Sequence, residues 1–230
     1  MIIIEELEKN GINLTEAQSE KMTAFCRILL EYNQKMNLTS ITDEREIAVK
    51  HLLDSIKGLK YLPEKGKIVD VGSGAGFPSI PLIIAGEKDG REFVLLDSLR
   101  KRVDFLNHII KELDLKNAVA VHARAEEEGR KNREFYDCAI ARAVAPLNVL
   151  LEYSMPLLKE HGVLIAYKGK PDEEIAEAER AMKTLRCEIK AVDRYRLSGE
   201  YDRSFVIVEK IGKTPDKYPR GQNKPRILPL

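Results

Sequence analysis

Hydrophobic positions along the chain follow two different spacings, and the change comes at Lys67. Before it, apolar residues recur three and four positions apart, which predicts amphipathic helices. After it, short apolar runs alternate with longer amphipathic stretches, and this alternation predicts a parallel sheet with helices on both faces. The predicted strands are Ile68–Val71, Phe93–Leu96, Ala118–Val121, Cys138–Ala141 and Val163–Tyr167.

Capping residues and turns refine this pattern. Thr15 and Gln18 form a capping box, and Thr42, followed by two acidic residues, is the predicted cap of a second helix. The polar stretch 33–40 separates the two helices. Near the end, strand-like segments Glu188–Leu197 and Ser204–Lys210 flank a Ser-Gly-Glu turn, which predicts an antiparallel hairpin. Within the sheet region helices are predicted over Ile80–Ala85, Leu99–Leu113, Pro146–Leu158 and Asp172–Leu185.

These elements predict an α/β fold with a mostly parallel seven-stranded sheet, an antiparallel C-terminal hairpin and an N-terminal helical extension. The predicted organisation is a helical extension over residues 1–62, a sheet domain over 63–211 and a basic, proline-rich tail over 212–230. The tail carries five Lys and Arg against one Asp, which suits contacts with phosphates, although the same tail can instead be a strap across the sheet.

Composition excludes several classes of protein. With 43% hydrophobic residues the chain has enough apolar material for a core, and 38 Lys and Arg against 37 Asp and Glu leave the question of a nucleic-acid partner to local charge. Three distant cysteines cannot form a disulfide framework or a zinc ribbon, and they indicate a reducing, cytoplasmic compartment. The acidic N-terminus is unlike a signal peptide, and no apolar run is long enough for a membrane span.

A glycine-rich loop, IVDVGSGAGFP over residues 68–78, follows the first predicted strand and precedes a helix. Glycines allow a sharp turn and the close approach of a ligand, so we expect Gly72 and Gly74 to contact a cofactor. A dinucleotide fingerprint requires its third glycine at the position of Phe77. An aromatic ring is unsuited to a pyrophosphate and is instead predicted to be an apolar wall for the ligand.

Two carboxylates narrow the choice of ligand. Asp97 ends the second predicted strand, where a carboxylate accepts hydrogen bonds from ribose hydroxyls, and it is also suited to capping the next helix. Asp70, just before the glycines, favours a cationic ligand over a phosphate. A nucleoside that carries a cationic sulfonium meets both requirements, so the sequence predicts S-adenosylmethionine rather than NAD.

Several motifs make the chain similar to a known family. They are the glycine loop, NLTS (37–40), KHLLDS (50–55), RAE (124–126), ARAVAPL (141–147) and YKG (167–169). These motifs resemble those of the RsmG family, also called GidB, over nearly the whole chain. The loop over residues 86–91 is longer and more charged here, and the tail is arranged differently, so tail contacts are not transferred from the family.

The resemblance implies a class I S-adenosylmethionine-dependent methyltransferase (Rossmann-like) fold. It implies that a guanine in the 530 loop of 16S ribosomal RNA, guanine 527, is methylated at N7, and that the partner is this RNA or the small ribosomal subunit. It further implies cofactor contacts from Gly72, Phe77, Ala125, Glu126 and Arg142.

The residues agree with attack by a ring nitrogen. The N7 lone pair carries no proton, so the enzyme needs to orient the reactants rather than supply a general base, and we assign no catalytic residue. Cys138 lies inside an apolar run and is expected in the core, not as a nucleophile. The Asn/Asp-Pro-Pro-aromatic turn typical of exocyclic-amine methylation is missing after the fourth predicted strand. No cluster of metal ligands is apparent, so no metal is predicted.

Candidate substrate contacts come from several regions: Asn37, Thr39, His51, Lys168 and Arg220. Lys168 ends the fifth predicted strand and is either a contact to RNA phosphate or a solvated loop lysine. The pairing of His51 with the carboxylate three residues later on the same helix face indicates a structural or substrate-positioning role.

Arg142 follows the fourth predicted strand, at the sheet edge where ligands bind in open α/β folds. It is suited to holding the methionine carboxylate or the target nucleotide, or to forming an ion pair with Glu126 or Asp70.

Alternative functions stay open at this point. They are methylation of another RNA or of a small molecule, a nicotinamide-dependent reductase, and a non-catalytic RNA-binding protein. With no coiled coil or long exposed apolar stripe, a monomer is expected.

Overall fold

The computed structural model describes residues 2–86 and 90–230. Within these ranges the strands are β1 (Gly66–Val71), β2 (Arg91–Asp97), β3 (Ala118–His122), β4 (Tyr136–Arg142), β5 (Leu158–Lys168), β6 (Cys187–Leu197) and β7 (Tyr201–Lys210). The α-helices are α1 (Ile2–Lys9), α2 (Glu16–Met36), α3 (Glu44–Glu46), α4 (Asp54–Ile56), α5 (Ser79–Ala85), α6 (Arg100–Glu112), α7 (Ala125–Lys131), α8 (Leu147–Ser154), α9 (Asp172–Glu177), α10 (Glu179–Leu185) and α11 (Lys224–Ile227). A π-helix (Ile47–Leu53) joins α3 to α4, and a 3₁₀ helix (Lys57–Tyr61) follows α4.

The strands form one sheet in the order β3-β2-β1-β4-β5-β7-β6. β1 to β5 pair in parallel, while β7 runs antiparallel between β5 and β6. The predicted seven-stranded sheet with its C-terminal hairpin is therefore confirmed. The strand order reverses between β1 and β4, and the carboxyl ends of strands at such a switch point form the usual ligand crevice of open α/β sheets.

The alternation of side chains along the central strands creates two apolar cores, one on each face of the sheet. Ile68 and Cys138 face a core that includes Phe25 of α2 and the helical segments up to residue 62. Val69 and Ala139 face the opposite core, which lies under α8 and α10. The N-terminal helices thus share a core with the sheet, and this fixes their position over one end of it.

The capping box at Thr15 and Gln18 begins α2 as predicted. The helix continues to Met36, beyond the predicted break, and ends in a left-handed Asn37 with φ of 49°. The prediction that Thr42 caps the second helix is wrong. The N-cap is Asp43, whose carboxylate accepts a hydrogen bond from the backbone amide of Glu46 at 3.0 Å, because an N-cap side chain reaches the amide of the third helical residue.

Two differences in the sheet domain have local causes. α7 escaped prediction because its sequence, AEEEGRK, is short and has little apolar spacing. The stretch predicted as one helix over Asp172–Leu185 is two helices, α9 and α10, which meet at Ala178. The predicted charged loop over 86–91 falls partly on residues 87–89, which lie outside the described ranges.

The tail beyond residue 211 is held against the sheet domain by backbone acceptors. The Arg133 guanidinium donates hydrogen bonds to the carbonyl oxygens of Thr214, Pro215 and Tyr218, at 2.5 to 3.2 Å. The Tyr218 side chain is buried in the core beside α8. The tail therefore runs as a strap across the sheet domain, which is one of the two alternatives given above.

All three cysteines are free and buried, and Cys138 lies in the core as expected. In the described ranges, no helix has both the length and the apolar character needed to cross a bilayer.

Candidate active site

The glycine loop between β1 and α5 follows a backbone path that requires glycine. Gly72, Gly74 and Gly76 have φ angles of +76°, +57° and +92°. A Cβ at Gly72 would lie 2.9 Å from Val144, and one at Gly76 would lie 2.7 Å from Ile80. At Gly74 the nearest atom is 3.9 Å away, so this part of the loop has open space beside it.

Asp97, at the end of β2, fixes the shape of that loop. One carboxylate oxygen accepts a hydrogen bond from the Gly74 amide at 2.9 Å, and the other accepts one from the Leu99 amide at 2.9 Å. The side chain is 4% exposed and has Arg102 at 3.6 Å. Asp97 therefore joins the loop to the start of α6, so the ligand and capping roles expected for it involve the same buried carboxylate.

A cavity of about 390 Å³ opens beside the glycine loop. Its lining residues are Val71, Gly72, Leu96, Asp97, Ser98, Ala123, Arg124, Ala125, Glu126, Val144, Tyr153, Asn223 and Arg226. Four predicted cofactor residues thus meet here, since three successive strand ends converge at the sheet edge. We call this space the loop cavity. Gly74, Phe77 and Arg142 are not among its lining residues.

The loop cavity has wall residues that sequence reasoning missed. Val144 follows β4, and Tyr153 lies on α8. Asn223 and Arg226 come from the C-terminal tail. The first could have been found from its place just after a parallel strand, but nothing in the sequence pattern places the tail at this cavity.

Asp70 lies at the base of the glycine loop and is fully buried. One carboxyl oxygen accepts a hydrogen bond from the Ser79 hydroxyl at 2.7 Å, while the other has no hydrogen-bond partner. Burial raises the pKa of Asp70 to about 7, against the opposing effects of the hydrogen bond from Ser79, of the nearby Ser73 hydroxyl and of the positive charge of Arg142. An unpartnered buried acid next to the loop fits a cationic ligand better than an anionic one.

The Phe77 ring points away from the loop cavity, towards the N-terminal helices. It stacks on His51, with ring centroids 4.5 Å apart, and meets Phe25 edge-on at 5.3 Å. The Arg142 guanidinium lies 5.1 Å from the same ring. The predicted apolar ligand wall is thus in contact with three protein groups, and it connects the glycine loop to the helices above it.

His51 is a neutral imidazole in this setting. Burial, followed by the charge of Arg142, lowers its pKa to about 4. Its Nε2 lies 2.9 Å from the Thr39 hydroxyl. The backbone amide of Thr39 donates a hydrogen bond to the side-chain oxygen of Asn33. His51 and Thr39 are therefore brought together, whereas Asn37 serves as the C-cap of α2.

Arg142 pairs with a carboxylate that we did not expect. Its guanidinium donates to Asp54 at 3.1 Å and also to the backbone oxygens of Lys50 and His51. The ion pairs with Glu126 or Asp70, given above as an alternative role, are not formed. The π-helical segment crosses the carboxyl end of β4 and places Asp54, which is buried, within closer reach.

A second cavity of about 570 Å³ opens on this side of the sheet edge, and we call it the basic cavity. Its lining residues are Ile41, Lys50, His51, Asp54, Arg142, Ala143, Val144, Ala145, Pro146, Tyr167, Lys168, Gly169, Glu174 and Arg203. Val144 is thus a wall of both cavities. The Lys168 ammonium group lies in this lining and donates to the Ala145 carbonyl oxygen and to Glu174, so it is a fixed group rather than a solvated loop lysine.

Arg220 lies apart from both cavities. Its guanidinium is bidentate with Glu152, at 2.6 to 3.1 Å, and its backbone amide donates to the same carboxylate at 2.8 Å. Glu152 is completely buried. These bonds favour the strap role for Arg220 over the predicted substrate contact, because the charge is neutralised inside the protein.

With this geometry in view, comparison with known proteins identifies the family. A family model described as rRNA small subunit methyltransferase G matches residues 18–204. The chain belongs to this family. A ribosomal RNA small subunit methyltransferase G of Acetivibrio thermocellus is 43% identical over 233 residues, covering 100% of this chain and 96% of the relative. One from Brevibacillus brevis is 44% identical, covering 98% of this chain and 97% of the relative.

Solved structures show the same fold at lower identity. A tRNA methyltransferase of Bacillus subtilis, TrmK, superposes with a TM-score of 0.57 at 12% identity, covering 72% of this chain and 68% of that one. An S-adenosylmethionine-dependent methyltransferase of Aquifex aeolicus gives a TM-score of 0.53 at 20% identity, covering 75% and 97%. The predicted methyltransferase fold is confirmed by these superpositions.

The site contains no group that resembles a metal centre. Over residues 2–86 and 90–230, no three His, Cys, Asp or Glu side chains lie close enough together to hold an ion. The loop cavity instead offers backbone, carboxylate and aromatic groups, which suit a nucleoside.

Proposed function

We propose that the protein transfers the methyl group of S-adenosylmethionine to N7 of a guanine in 16S ribosomal RNA, guanine 527 of the 530 loop. The observation that carries this proposal is the pair of cavities at the carboxyl edge of the sheet, which share Val144 as a wall. A methyl donor in the loop cavity and a base in the basic cavity would meet at Val144. Membership in the rRNA small subunit methyltransferase G family supports RNA as the acceptor.

The loop cavity is suited to the cofactor. Asp97 offers buried carboxylate oxygens to ribose hydroxyls, and Ala125 and Glu126 open α7 at the end of the next strand. Gly72 lines that space without a side chain, and Gly74 leaves open space beside the same loop. The unpartnered oxygen of the buried acid at the base of the loop favours the cationic end of the ligand.

The basic cavity is suited to the target nucleotide. Lys50, Arg142, Lys168 and Arg203 line it together with the carboxylates of Asp54 and Glu174. The lining therefore has an excess of positive charge, and clustered cations of this kind bind RNA phosphates. This lining favours a polyanionic substrate over a neutral small molecule. Arg142 is thereby assigned to the nucleotide rather than to the methionine carboxylate, and it reaches the cofactor side only through its neighbour Phe77.

The reaction needs orientation more than proton transfer. When bound, the cofactor supplies an electrophilic methyl group on its sulfonium. Guanine N7 attacks with an in-plane lone pair and loses no proton, and positioning two reactants in line is worth roughly 7–11 kcal/mol of the barrier. His51 fits this requirement, because a neutral ring held by Thr39 and stacked on Phe77 positions neighbours without acting as a base.

The positive charge that leaves the sulfur appears on the methylated guanine. Asp54 and Glu174 both line the basic cavity. Carboxylates in the lining of a cavity that holds the methylated base would stabilise this charge as it develops. We therefore assign them an electrostatic role in addition to their ion pairs with Arg142 and Lys168.

The test is to map the methyl group. Purified protein, S-adenosylmethionine with a labelled methyl group, and small ribosomal subunits or naked 16S RNA from a strain lacking the gene are incubated together. We expect label at one guanine, with strand cleavage after borohydride and aniline treatment that marks N7. Label on a base carbon or an exocyclic amine would contradict the proposed chemistry, and label on another RNA would contradict the proposed substrate.

A further inference from the structure

Three arginine side chains anchor the C-terminal tail before it reaches the loop cavity. Arg133 binds the carbonyl oxygens of its first turn, and Arg130 donates to the Pro219 carbonyl oxygen at 3.2 Å. Arg220 then pairs with the buried Glu152 of α8. Pro225 is buried, so the short helix α11 also packs against the protein. These anchors fix where the following side chains lie.

Two tail side chains complete the wall of the loop cavity. Asn223 and Arg226 both line it, together with Tyr153 and Asp97 from the sheet domain. The Arg226 guanidinium donates one hydrogen bond, at 2.8 Å, to the Val144 carbonyl oxygen. Guanidinium has five N–H donors in a rigid plane, so one bond to Val144 orients the group and leaves other donors for a ligand.

The position within the cavity indicates which half of the cofactor these residues meet. The rest of the wall comes from the ends of β1, β2 and β3 and the start of α7, with Asp97 and Ser98 at the end of β2, and from Val144 and Tyr153. Carboxylates at the end of the second strand bind ribose in folds of this type, so the purine belongs beside them. The adenine of an adenosine presents three ring nitrogens that accept hydrogen bonds and an amine with two N–H donors.

We propose that the C-terminal tail is part of the cofactor site, and that Arg226 and Asn223 bind the adenosine half of S-adenosylmethionine. Arg226 donates to the ring nitrogens of adenine, and the Asn223 amide both donates and accepts. This inference rests on the proposed function, since it assumes that S-adenosylmethionine occupies the loop cavity. It also gives the basic tail a role other than contact with RNA phosphates.

The first experiment compares two ligands by calorimetry. S-Adenosylhomocysteine carries both halves of the cofactor, whereas 5′-methylthioadenosine lacks the amino-acid half. We expect Arg226→Ala to weaken both ligands about tenfold or more, and to a similar extent. Lys224→Ala is the matched control, because Lys224 is an exposed cation of the same helix that does not line the cavity, and it should bind both ligands as wild type does.

A second pair of variants separates loss of a side-chain contact from loss of the tail structure. Asn223 and Gln222 both have a φ of +58°, so glycine fits the backbone at either position. Asn223→Gly removes a cavity side chain and should weaken both ligands severalfold, whereas Gln222→Gly should leave both affinities unchanged. The melting temperature of each unliganded variant reports whether the fold is intact.

The outcomes separate the two proposals. Wild-type affinity for both ligands in Arg226→Ala and in Asn223→Gly would overturn the inference, and so would a loss confined to S-adenosylhomocysteine, because that result places the contact on the amino-acid half. Failure of the wild-type protein to bind either ligand would instead contradict the proposed function.

Discussion

Single buried side chains at the sheet edge carry the electrostatics of this site. Asp70 is an acid without a cationic partner, while the imidazole of His51 is held neutral by burial beside Arg142. Each shift has a local cause, because desolvation disfavours the charged form of either group. Because these pKa values are shifted in the folded protein, its stability depends on the pH over which each group titrates.

Asp70 makes the stability depend on pH in a defined direction. Its pKa in the folded protein is about 7, above the ordinary value of 3.8, so between these values the folded state holds a proton that the unfolded state has lost. The contribution of this extra proton to the free energy of unfolding is fully present below pH 4 and is lost as pH rises through 7. Asp70→Asn cannot ionise, so its stability relative to wild type should rise by about 2–4 kcal/mol between pH 4.5 and 8.

Urea unfolding at pH 4.5, 6 and 8 measures this difference. Asp104→Asn is the control, since Asp104 is an exposed carboxylate on α6 and its replacement should leave the pH profile as in wild type. A constant difference between Asp70→Asn and wild type across this range would contradict the shifted titration.

At the scale of elements, connections between strands and helices determine the shape of the site. The loop between β1 and α5 uses three left-handed glycines for different reasons: Gly76 lets the chain pack closely on α5, whereas Gly74 has open space beside it. The tail is joined to α8 through one buried carboxylate, that of Glu152, which binds the Arg220 side chain.

The three glycines should not tolerate alanine equally. Gly76→Ala places a Cβ 2.7 Å from Ile80 at a φ of +92°, so overpacking and backbone strain add, and we expect a loss of about 2–4 kcal/mol in the free energy of unfolding. Gly74→Ala carries only the strain of its φ, about 1 kcal/mol. Denaturant titration of the two variants makes the comparison, and equal losses would contradict the packing argument.

Breaking the ion pair under the tail should destabilise the protein. Glu152→Gln leaves Arg220 without its charged partner in a buried setting, and we expect a loss of about 2–4 kcal/mol. The matched control is Glu31→Gln on α2, where the side chain is 58% exposed and pairs with Arg27, so the loss should be under about 0.5 kcal/mol. Thermal unfolding measures both, and a similar small loss in each would show that the tail is not anchored there.

For the whole molecule, the parallel sheet and the N-terminal helices together create two cavities side by side. The loop cavity depends on the sheet domain and its tail, and the basic cavity needs the helical extension as well, because Lys50, His51 and Asp54 line it. Cofactor binding and RNA binding should therefore be separable by mutation.

Lys168→Ala should affect only the substrate side. Lys168 lines the basic cavity and does not line the loop cavity. We expect kcat/KM for RNA methylation to fall about tenfold or more, with the affinity for S-adenosylhomocysteine unchanged. Lys170→Ala is the control, because its side chain is 84% exposed two residues further along, and it should retain nearly full activity. A loss of cofactor affinity in Lys168→Ala would contradict the division between the cavities.

The sequence by itself determined the order of strands and helices, the bend at the glycine loop and the side chains at the strand ends. These features depend on local periodicity and on residue types with restricted backbone preferences, such as Gly72 or the capping box at Thr15. The cofactor roles of Ala125 and Glu126 were implied by the family resemblance, and their meeting with Asp97 agrees with parallel strands that end at one edge.

Only the tertiary structure decided which distant groups are paired. Arg142 binds Asp54 rather than Glu126 or Asp70, which are closer to it in the sequence. Phe77 stacks on His51, and Arg226 reaches the loop cavity. Each of these contacts joins segments far apart in the chain, and no spacing rule encodes their distance. They are set by how the helical extension and the tail pack against the sheet, because burial of apolar surface fixes those positions and the polar partners follow.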